Sequence, residues 1–207
     1  VAGLSDLLAK IVANRVDINS INPEICFSGV LNPRVSNLPS PSLLAGIDKA
    51  ISRLADAIIN KQKIGILTDY DVDGITSHAI IFNALNTYFK VDKKNIEHYI
   101  GHRLTDGYGV SNGLVDKILN NNNNNLPNVI ITADCWSSDE KNISRLKAKG
   151  IDVIVTDHHA IPMEGVPNSA YCTVNPTQKN CKYPSKVIAG CMVSCLVICA
   201  LRNYLIS

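Results

Sequence analysis

The alternation of short apolar runs with longer helical patterns is the feature that most constrains the fold of this chain. From residue 63 onward, five apolar runs of strand length follow one another, and segments with helical spacing separate most of them. Strands separated by helices of about a dozen residues form βαβ units, whose strands lie parallel in one sheet. The sequence therefore predicts an α/β fold with a mainly parallel sheet of about five strands flanked by helices.

The predicted elements and domains can be placed along the chain. The strands are expected at 63–68, 96–100, 129–133, 151–156 and, more weakly, 171–174. The helices are expected at 43–60, 77–88, 111–120, 137–149 and 188–207. Ser42 is predicted to cap the first of these helices, and Thr76 or Ser77 the second. Residues 1–42 are predicted to form a helical and irregular lead-in, and residues 43–207 the main domain.

Composition and charge exclude several classes of protein. Hydrophobic residues make up 46% and charged residues 18%, which is typical of a globular rather than a disordered chain. The net charge of +2 gives no argument for nucleic-acid binding, so such a function must rest on a site. The seven cysteines include no CxxC pair, which argues against a structural zinc site. With no signal peptide and no membrane span predicted, we expect a cytoplasmic protein.

Polar residues follow each predicted strand at the point where the strand ends. Ligands of an open parallel sheet bind beyond the carboxyl ends of its strands, so these residues are candidates for a shared site. After the first, third, fourth and fifth strands the candidates are Asp69, Asp71, Asp73, Asp134, Asp157, His158, His159 and Asn175.

The segment DYDVDG places three carboxylates within five residues, at 69, 71 and 73. Such a cluster repels itself unless a cation neutralises it. The alternatives are a solvated acidic turn or a calcium loop. A calcium loop needs further oxygen ligands downstream, whereas this segment leads through Gly74 into a predicted helix.

The pair His158–His159 and the single carboxylate Asp134 extend the predicted metal site. Carboxylates together with one or two imidazoles suit Mn²⁺ or Mg²⁺ better than zinc or copper. Asp134 lies between the other two clusters, where it is suited to bridge two ions, although it is also placed to cap the next helix. A plain surface pair is the alternative for the two histidines.

The loop after the second strand offers candidate contacts to substrate. Arg103 is predicted to bind phosphate, with an ion pair to Asp106 or Asp116 as the alternative. Tyr108 and Trp136 offer faces on which bases can stack, although packing is the alternative for Trp136. The start of the helix near residue 77 favours phosphate. The candidate substrate-binding residues are therefore Arg103, Tyr108, Ser77 and Asn175.

Taken in order, these motifs resemble the DHH phosphoesterase family and, within it, the RecJ single-strand exonucleases. The resemblance is carried by ILTDYDVDGITS, GHRLTDGYGVS, TADC, VTDHH, TVNP and CKYPSKVIAG. It extends from about Leu31 to the C-terminus. The DHH motif alone is a modest signal, but the whole series in this order is a strong one.

The resemblance implies a role for each motif residue. Asp71 and Asp73 match metal ligands, and Asp69 matches a further ligand or a supporting group. Asp134 matches the carboxylate that bridges the metals, and His158 a metal ligand. The catalytic residues implied are His159, which faces the scissile phosphate, Asp134, and Asp157, which orients an imidazole.

The resemblance also implies an activity. RecJ-like enzymes use two Mn²⁺ or Mg²⁺ ions to hydrolyse single-stranded DNA from the 5′ end, releasing mononucleotides in recombination and repair. The expected partners are single-stranded DNA and repair or single-strand-binding proteins, without a membrane. The alternatives are a DHH phosphodiesterase for short oligonucleotides or cyclic dinucleotides, and a non-catalytic DHH scaffold.

Two departures from the family pattern qualify this expectation. Trp136 stands where the family usually has a glycine, beside the bridging carboxylate. The last metal-binding Asp of the family lies in a later motif, beyond residue 207, as does the domain that grips nucleic acid. We therefore expect a truncated catalytic domain that binds metal weakly and cuts poorly when isolated.

Overall fold

The protein is described by a computed structural model that covers residues 3–15, 31, 34–102, 104–120, 125–135 and 138–206. The chain divides into two compact units, Val1–Pro39 and Ser40–Ser207, close to the predicted boundary after residue 42. In the first unit, helix α1 spans Asp6–Ala13, and the side chain of Ser5 caps it by accepting a hydrogen bond from the Leu8 N–H. The first unit also contains a 3₁₀ turn at Val35–Asn37, and the other described elements belong to the second unit.

A five-stranded parallel sheet forms the centre of the second unit and confirms the predicted α/β fold. The strands are β1 (Ile64–Thr68), β2 (Ile96–Ile100), β3 (Val129–Ala133), β4 (Asp152–Thr156) and β5 (Cys172–Val174), in the order β2-β1-β3-β4-β5. In this register Thr68 lies beside Ile100 and Ala133, and Thr156 lies beside Ala133 and Val174. The carboxyl ends of all five strands are therefore level, and the residues that follow them meet along one edge.

Helices cover both faces of the sheet. They are α2 (Ile47–Ile59), α3 (Val72–Asn83), α4 (Asn112–Leu119), α5 (Glu140–Lys147) and α6 (Gly190–Ile206). Helices α2, α3 and α6 pack with Ile66 and Ile131 in one core, whereas α4 and α5 pack with Leu67 and Ile130 in a second core. Neighbouring strand residues thus enter opposite cores, which explains why β1 and β3 are buried at every position and are mostly apolar.

Helix α6 is the last described element and packs against α2 and α3. It is 17 residues long and buries Val193, Val197 and Leu201 in the core it shares with those helices. Within the described part of the chain, no helix combines the length and apolarity that crossing a bilayer requires.

The starts of two helices differ from the prediction. Helix α2 begins at Ile47 rather than Leu43, because Pro41–Leu43 form a separate 3₁₀ turn and Gly46 takes a left-handed φ of +80° before the helix. Ser42 is therefore not its cap. Helix α3 begins at Val72 and is capped by Asp71, so the prediction that Thr76 or Ser77 caps it was wrong.

Candidate metal centre

Three buried carboxylates lie side by side at the carboxyl edge of the sheet. Asp69, Asp134 and Asp157 are the first residues after β1, β3 and β4, and all three are almost completely buried. Their alignment follows directly from the level strand ends. Buried like charges at this spacing are unfavourable unless a cation or hydrogen-bond donors compensate them.

Asp69, Asp71 and Asp134 form the acidic side of the centre, because one oxygen from each lies within 4.8 Å of the others. Both carboxylate oxygens of Asp69 are buried without a hydrogen bond of ordinary geometry among the described residues, and Oδ1 of Asp134 lies 3.1 Å from Nε2 of His158. Burial raises the pKa of Asp69, the nearby N–H groups of Tyr70 and Asp71 partly offset the rise, and the charge of Asp71 adds to it. Burial, with the charges of Asp73 and Asp71, raises the pKa of Asp134 to about 8. Orphaned carboxylate oxygens in this arrangement fit a hard divalent cation.

Asp71 is fixed by the start of α3. Its Oδ1 accepts hydrogen bonds from the N–H groups of Asp73 and Gly74, each at 2.9 Å. A Cβ at Gly74 would lie 2.4 Å from the carbonyl oxygen of Asp69, so glycine is required for α3 to begin this close to the end of β1. The motif that supplies carboxylates therefore also supplies the cap and the close turn that aim them.

Asp73 is held by residues far along the sequence, at the start of α6. Its Oδ2 accepts a hydrogen bond from the Gly190 N–H and its Oδ1 one from the Cys191 N–H, both at 2.7 Å, at the first turn of α6. Burial opposes ionisation, but these N–H groups outweigh it and lower the pKa of Asp73. A Cβ at Gly190 would lie 2.9 Å from Oδ1 of Asp134, so the start of α6 also borders the bridging candidate.

The imidazole side of the centre comprises His158 and His159, and it shares Asp134 with the acidic side. Ligand atoms of these three residues lie within 4.8 Å of one another. Nε2 of His158 is 3.1 Å from Oδ1 of Asp134 and 3.7 Å from Oδ2 of Asp73. Asp134 itself has a φ of +59°, a left-handed conformation that is uncommon for non-glycine residues and that concentrates at functional sites.

Asp157 organises the imidazole side. Its Oδ1 accepts hydrogen bonds from Nδ1 of His159 at 2.7 Å and from the backbone N–H groups of His158 and His159. On the other side of the loop, the carbonyl oxygen of His159 accepts hydrogen bonds from Asn175 and Thr177 at 2.9 and 3.0 Å. Asn175 is fully buried and serves this loop, so its predicted contact with substrate gains no support from its position. The role of Thr177 was not predicted from the sequence.

Two tyrosines lie at the rim of the centre. The ring of Tyr108 is edge-on to His159, with ring centres 6.4 Å apart, and edge-on to Tyr70 at 6.2 Å. Burial raises the pKa of the Tyr108 phenol, as do the negative charges of Asp134 and Asp69. The structure thus brings the predicted substrate residue Tyr108 to the centre, together with Tyr70, which sequence analysis did not single out.

Ser77 is not among the residues that the structure brings together at the centre. Ser77 is fully buried within α3 and not at the helix start where a phosphate contact was predicted. Arg103 and Trp136 lie outside the described residues. Both acidic residues considered as alternative partners of Arg103 form ion pairs with other basic side chains: Asp106 with Lys117, and Asp116 with Arg145.

Comparison with known proteins assigns the fold and motifs to one family. The sequence matches the DHH family, N-terminal domain, over residues 63–205, and the chain belongs to this family. Within it, the chain is similar to the single-stranded-DNA-specific exonuclease RecJ of Escherichia coli (strain K12), with 33% identity over 162 residues. That match covers 78% of this chain and 26% of the relative, so the chain spans about a quarter of the length of the curated relatives it matches.

Two further comparisons agree with this assignment. A putative SPbeta prophage-derived single-strand DNA-specific exonuclease, YorK, of Bacillus subtilis (strain 168) is 31% identical over 187 residues, covering 89% of this chain and 28% of that protein. A solved structure of exonuclease RecJ bound to manganese superimposes with a TM-score of 0.66 and 28% identity, covering 78% of this chain and 38% of the solved chain.

Proposed function

We propose that this chain is the metal-binding catalytic domain of a RecJ-like nuclease that hydrolyses phosphodiester bonds of single-stranded DNA with two Mn²⁺ or Mg²⁺ ions. The observation that carries the proposal is the convergence of two almost completely buried carboxylates, Asp69 and Asp134, with the imidazoles of His158 and His159, while both Asp69 oxygens lack a hydrogen-bond partner among the described residues. The relatives, which are named as single-stranded-DNA-specific exonucleases, support the choice of substrate.

The two overlapping groups of ligand atoms suggest how two cations would be held. Asp69, Asp71 and Asp134 fit one ion, and Asp134 with His158 fits the other, so Asp134 is the bridging ligand in this proposal. Asp73 also remains a proposed ligand, because a carboxylate oxygen that accepts one N–H keeps a second lone pair. Two bound cations would supply an activated water and stabilise charge on the phosphoryl oxygens.

The chain's own residues orient the reaction. Asp157 holds Nδ1 of His159, so the ring presents Nε2, which in this proposal contacts the scissile phosphate. Tyr108, at the rim, would stack on a base of the strand, and Arg103 would bind a neighbouring phosphate. Polarity from the 5′ end, release of mononucleotides, a role in recombination and repair, and repair or single-strand-binding partners are further proposals that follow the family resemblance.

The Asp134→Ala substitution tests the proposal. We expect it to lower Mn²⁺-dependent cleavage of an end-labelled single strand at least about a hundredfold, because it removes the ligand common to both ions. Asp152→Ala is the matched control, since this carboxylate pairs with Arg53 at 2.6 Å at the opposite end of β4. Calorimetric titration with Mn²⁺ should show binding by the wild-type chain and by the control.

The same experiment separates the alternatives. A labelled dinucleotide run in parallel distinguishes a strand-specific nuclease from a phosphodiesterase for short oligonucleotides. A non-catalytic scaffold would show no heat specific to Mn²⁺. Cleavage that persists in Asp134→Ala would contradict the bridging role.

A further inference from the structure

The turn at residues 106–110, called here the Tyr108 turn, presents its aromatic ring from between two glycines. Gly107 and Gly109 have φ values of +82° and +70°, which only glycine adopts at little cost. The chain reverses direction tightly at Tyr108, and the two glycines allow the backbone of the turn to adopt other conformations as well. Besides the contacts of the ring itself with His159 and Tyr70, its position at the metal centre therefore depends on what holds the two ends of the turn.

The first end is held by Asp106. Its carboxylate is almost fully buried, accepts a hydrogen bond from the His102 N–H at 2.9 Å and pairs with Nζ of Lys117 at 2.7 Å. Because Lys117 belongs to α4, this contact ties the start of the turn to that helix.

The second end is held at Val110 by two side chains from the start of α5. The Val110 N–H donates to Oδ2 of Asp139 at 2.7 Å, and the Val110 carbonyl accepts from Nδ2 of Asn142 at 2.7 Å. The Asn142 side chain is steadied in turn by Arg145, which donates to its Oδ1 at 3.2 Å. Both polar groups of one backbone residue are thus satisfied by the same helix.

The side chain of Asp139 does not make the hydrogen bond that its position at the start of α5 would favour. It occupies the N-cap of α5, where an aspartate ordinarily accepts hydrogen bonds from the first N–H groups of its own helix. The Asp139 side chain makes no such capping bond and reaches Val110 instead. Burial raises the pKa of this carboxyl group to about 6, an effect that the Val110 N–H partly offsets. A half-buried carboxylate diverted from its local role to a turn at the centre indicates a function for the turn's position.

We infer that Asp139 and Asn142 are positioning residues that hold the Tyr108 ring against His159 and thereby fix the face on which the substrate strand stacks. This inference rests on the proposed function, because it takes a single nucleic-acid strand as the ligand. The holding of the turn itself is a property of the chain without ligand, and it is measurable separately.

Hydrogen exchange and strand binding together test the inference. In Asp139→Ala and Asn142→Ala, we expect amides of residues 107–111 to exchange about tenfold faster, since a strong backbone anchor is lost. Affinity for a fluorescent oligodeoxythymidylate, measured with Ca²⁺, should fall about tenfold through the loss of an ordered stacking face. Asp139→Asn keeps an acceptor for the Val110 N–H and should remain within about threefold of wild type in both measurements.

Glu140→Ala is the matched control. Glu140 is the neighbouring residue on α5, and its carboxylate likewise accepts hydrogen bonds from a loop, at Ser169 N and Oγ. This variant should change neither exchange at residues 107–111 nor strand affinity. Calorimetric Mn²⁺ affinity should stay at the wild-type value in all four variants.

The outcomes are distinct. Unchanged exchange at residues 107–111 in both Asp139→Ala and Asn142→Ala would overturn the inference, and if Asp139→Ala does not fold, Asn142→Ala alone decides. Faster exchange with undiminished strand affinity would overturn the substrate role. If the wild-type chain binds no strand, the proposed function and the substrate role fail together, while exchange still decides whether Asp139 and Asn142 hold the turn.

Discussion

The two sides of the candidate metal centre satisfy their polar groups in different ways. On the imidazole side, Asp157 accepts hydrogen bonds from the His159 ring and from two backbone N–H groups, and the carbonyl of His159 is held in turn. On the acidic side, Asp71 is held by two N–H groups of α3, but both oxygens of Asp69 are buried without a hydrogen-bond partner among the described residues, and Oδ1 of Asp134 faces only an imidazole that is itself a proposed ligand. The difference teaches that the protein itself fixes the direction of its imidazoles but leaves the compensation of Asp69 and Asp134 largely to a cation.

The largest effect is expected from breaking the organised side. Asp157→Ala removes the acceptor that holds the backbone N–H of the proposed ligand His158 as well as the ring of His159, so we expect Mn²⁺ affinity to fall about 10–100-fold. Calorimetry measures this, and far-ultraviolet circular dichroism should confirm an intact fold. Asp157→Asn, which keeps an acceptor, should fall less. Equal Mn²⁺ affinity in wild type and Asp157→Ala would show that the imidazole side needs no such support.

On the acidic side we expect a smaller effect, which is a gain in stability without metal rather than a loss of metal affinity. Without metal, Asp69→Asn replaces a buried carboxylate that lacks donors, so we expect the free energy of unfolding to rise by about 1–2 kcal/mol. Urea unfolding in the presence of a chelator measures the change. With saturating Mn²⁺ the order should reverse, because the wild type gains more from the ion. Destabilisation of Asp69→Asn in chelator would contradict the comparison.

The smallest effect is expected at Asp139, a half-buried carboxylate that accepts the Val110 N–H. Burial raises its folded pKa from 3.8 to about 6, so the ionised form is disfavoured by folding and stability falls as pH rises through this interval. Asp139→Asn removes that penalty. We expect a gain of about 1 kcal/mol at pH 7.5 and none near pH 4, measured by urea unfolding. An equal gain at both pH values would exclude ionisation as its cause.

The sheet could be predicted from the sequence because β1 and β3 are buried on both faces and therefore read as continuous apolar runs. The start of α3 could not be placed in the same way. The sequence predicts Asp71 to be a metal ligand. Nothing in the sequence alone distinguishes an aspartate that only binds metal from one that also caps a helix, as Asp71 does. Treating the acidic motif as a loop moved the predicted start of the helix to Ser77.

The contacts that complete the site could not be predicted from local patterns in the sequence. Asp73 and Gly190 are 117 positions apart, and Asn175 reaches the carbonyl of His159 across 16 positions. Such hydrogen bonds depend on the packed arrangement of the strands and leave no periodic signal. Tyr70 did carry a signal, since an aromatic residue between two motif aspartates stands at the rim of any site they form.

The hydrogen bonds from the start of α6 to Asp73 have a consequence for biosynthesis. When the ribosome has released residues up to 180, every proposed ligand is already outside, yet the amides of Gly190 and Cys191 that fix Asp73 are still to come. A nascent chain at that stage carries these acidic groups in an unfinished geometry. The geometry around Asp73 is therefore completed only after α6 has been synthesised and has packed.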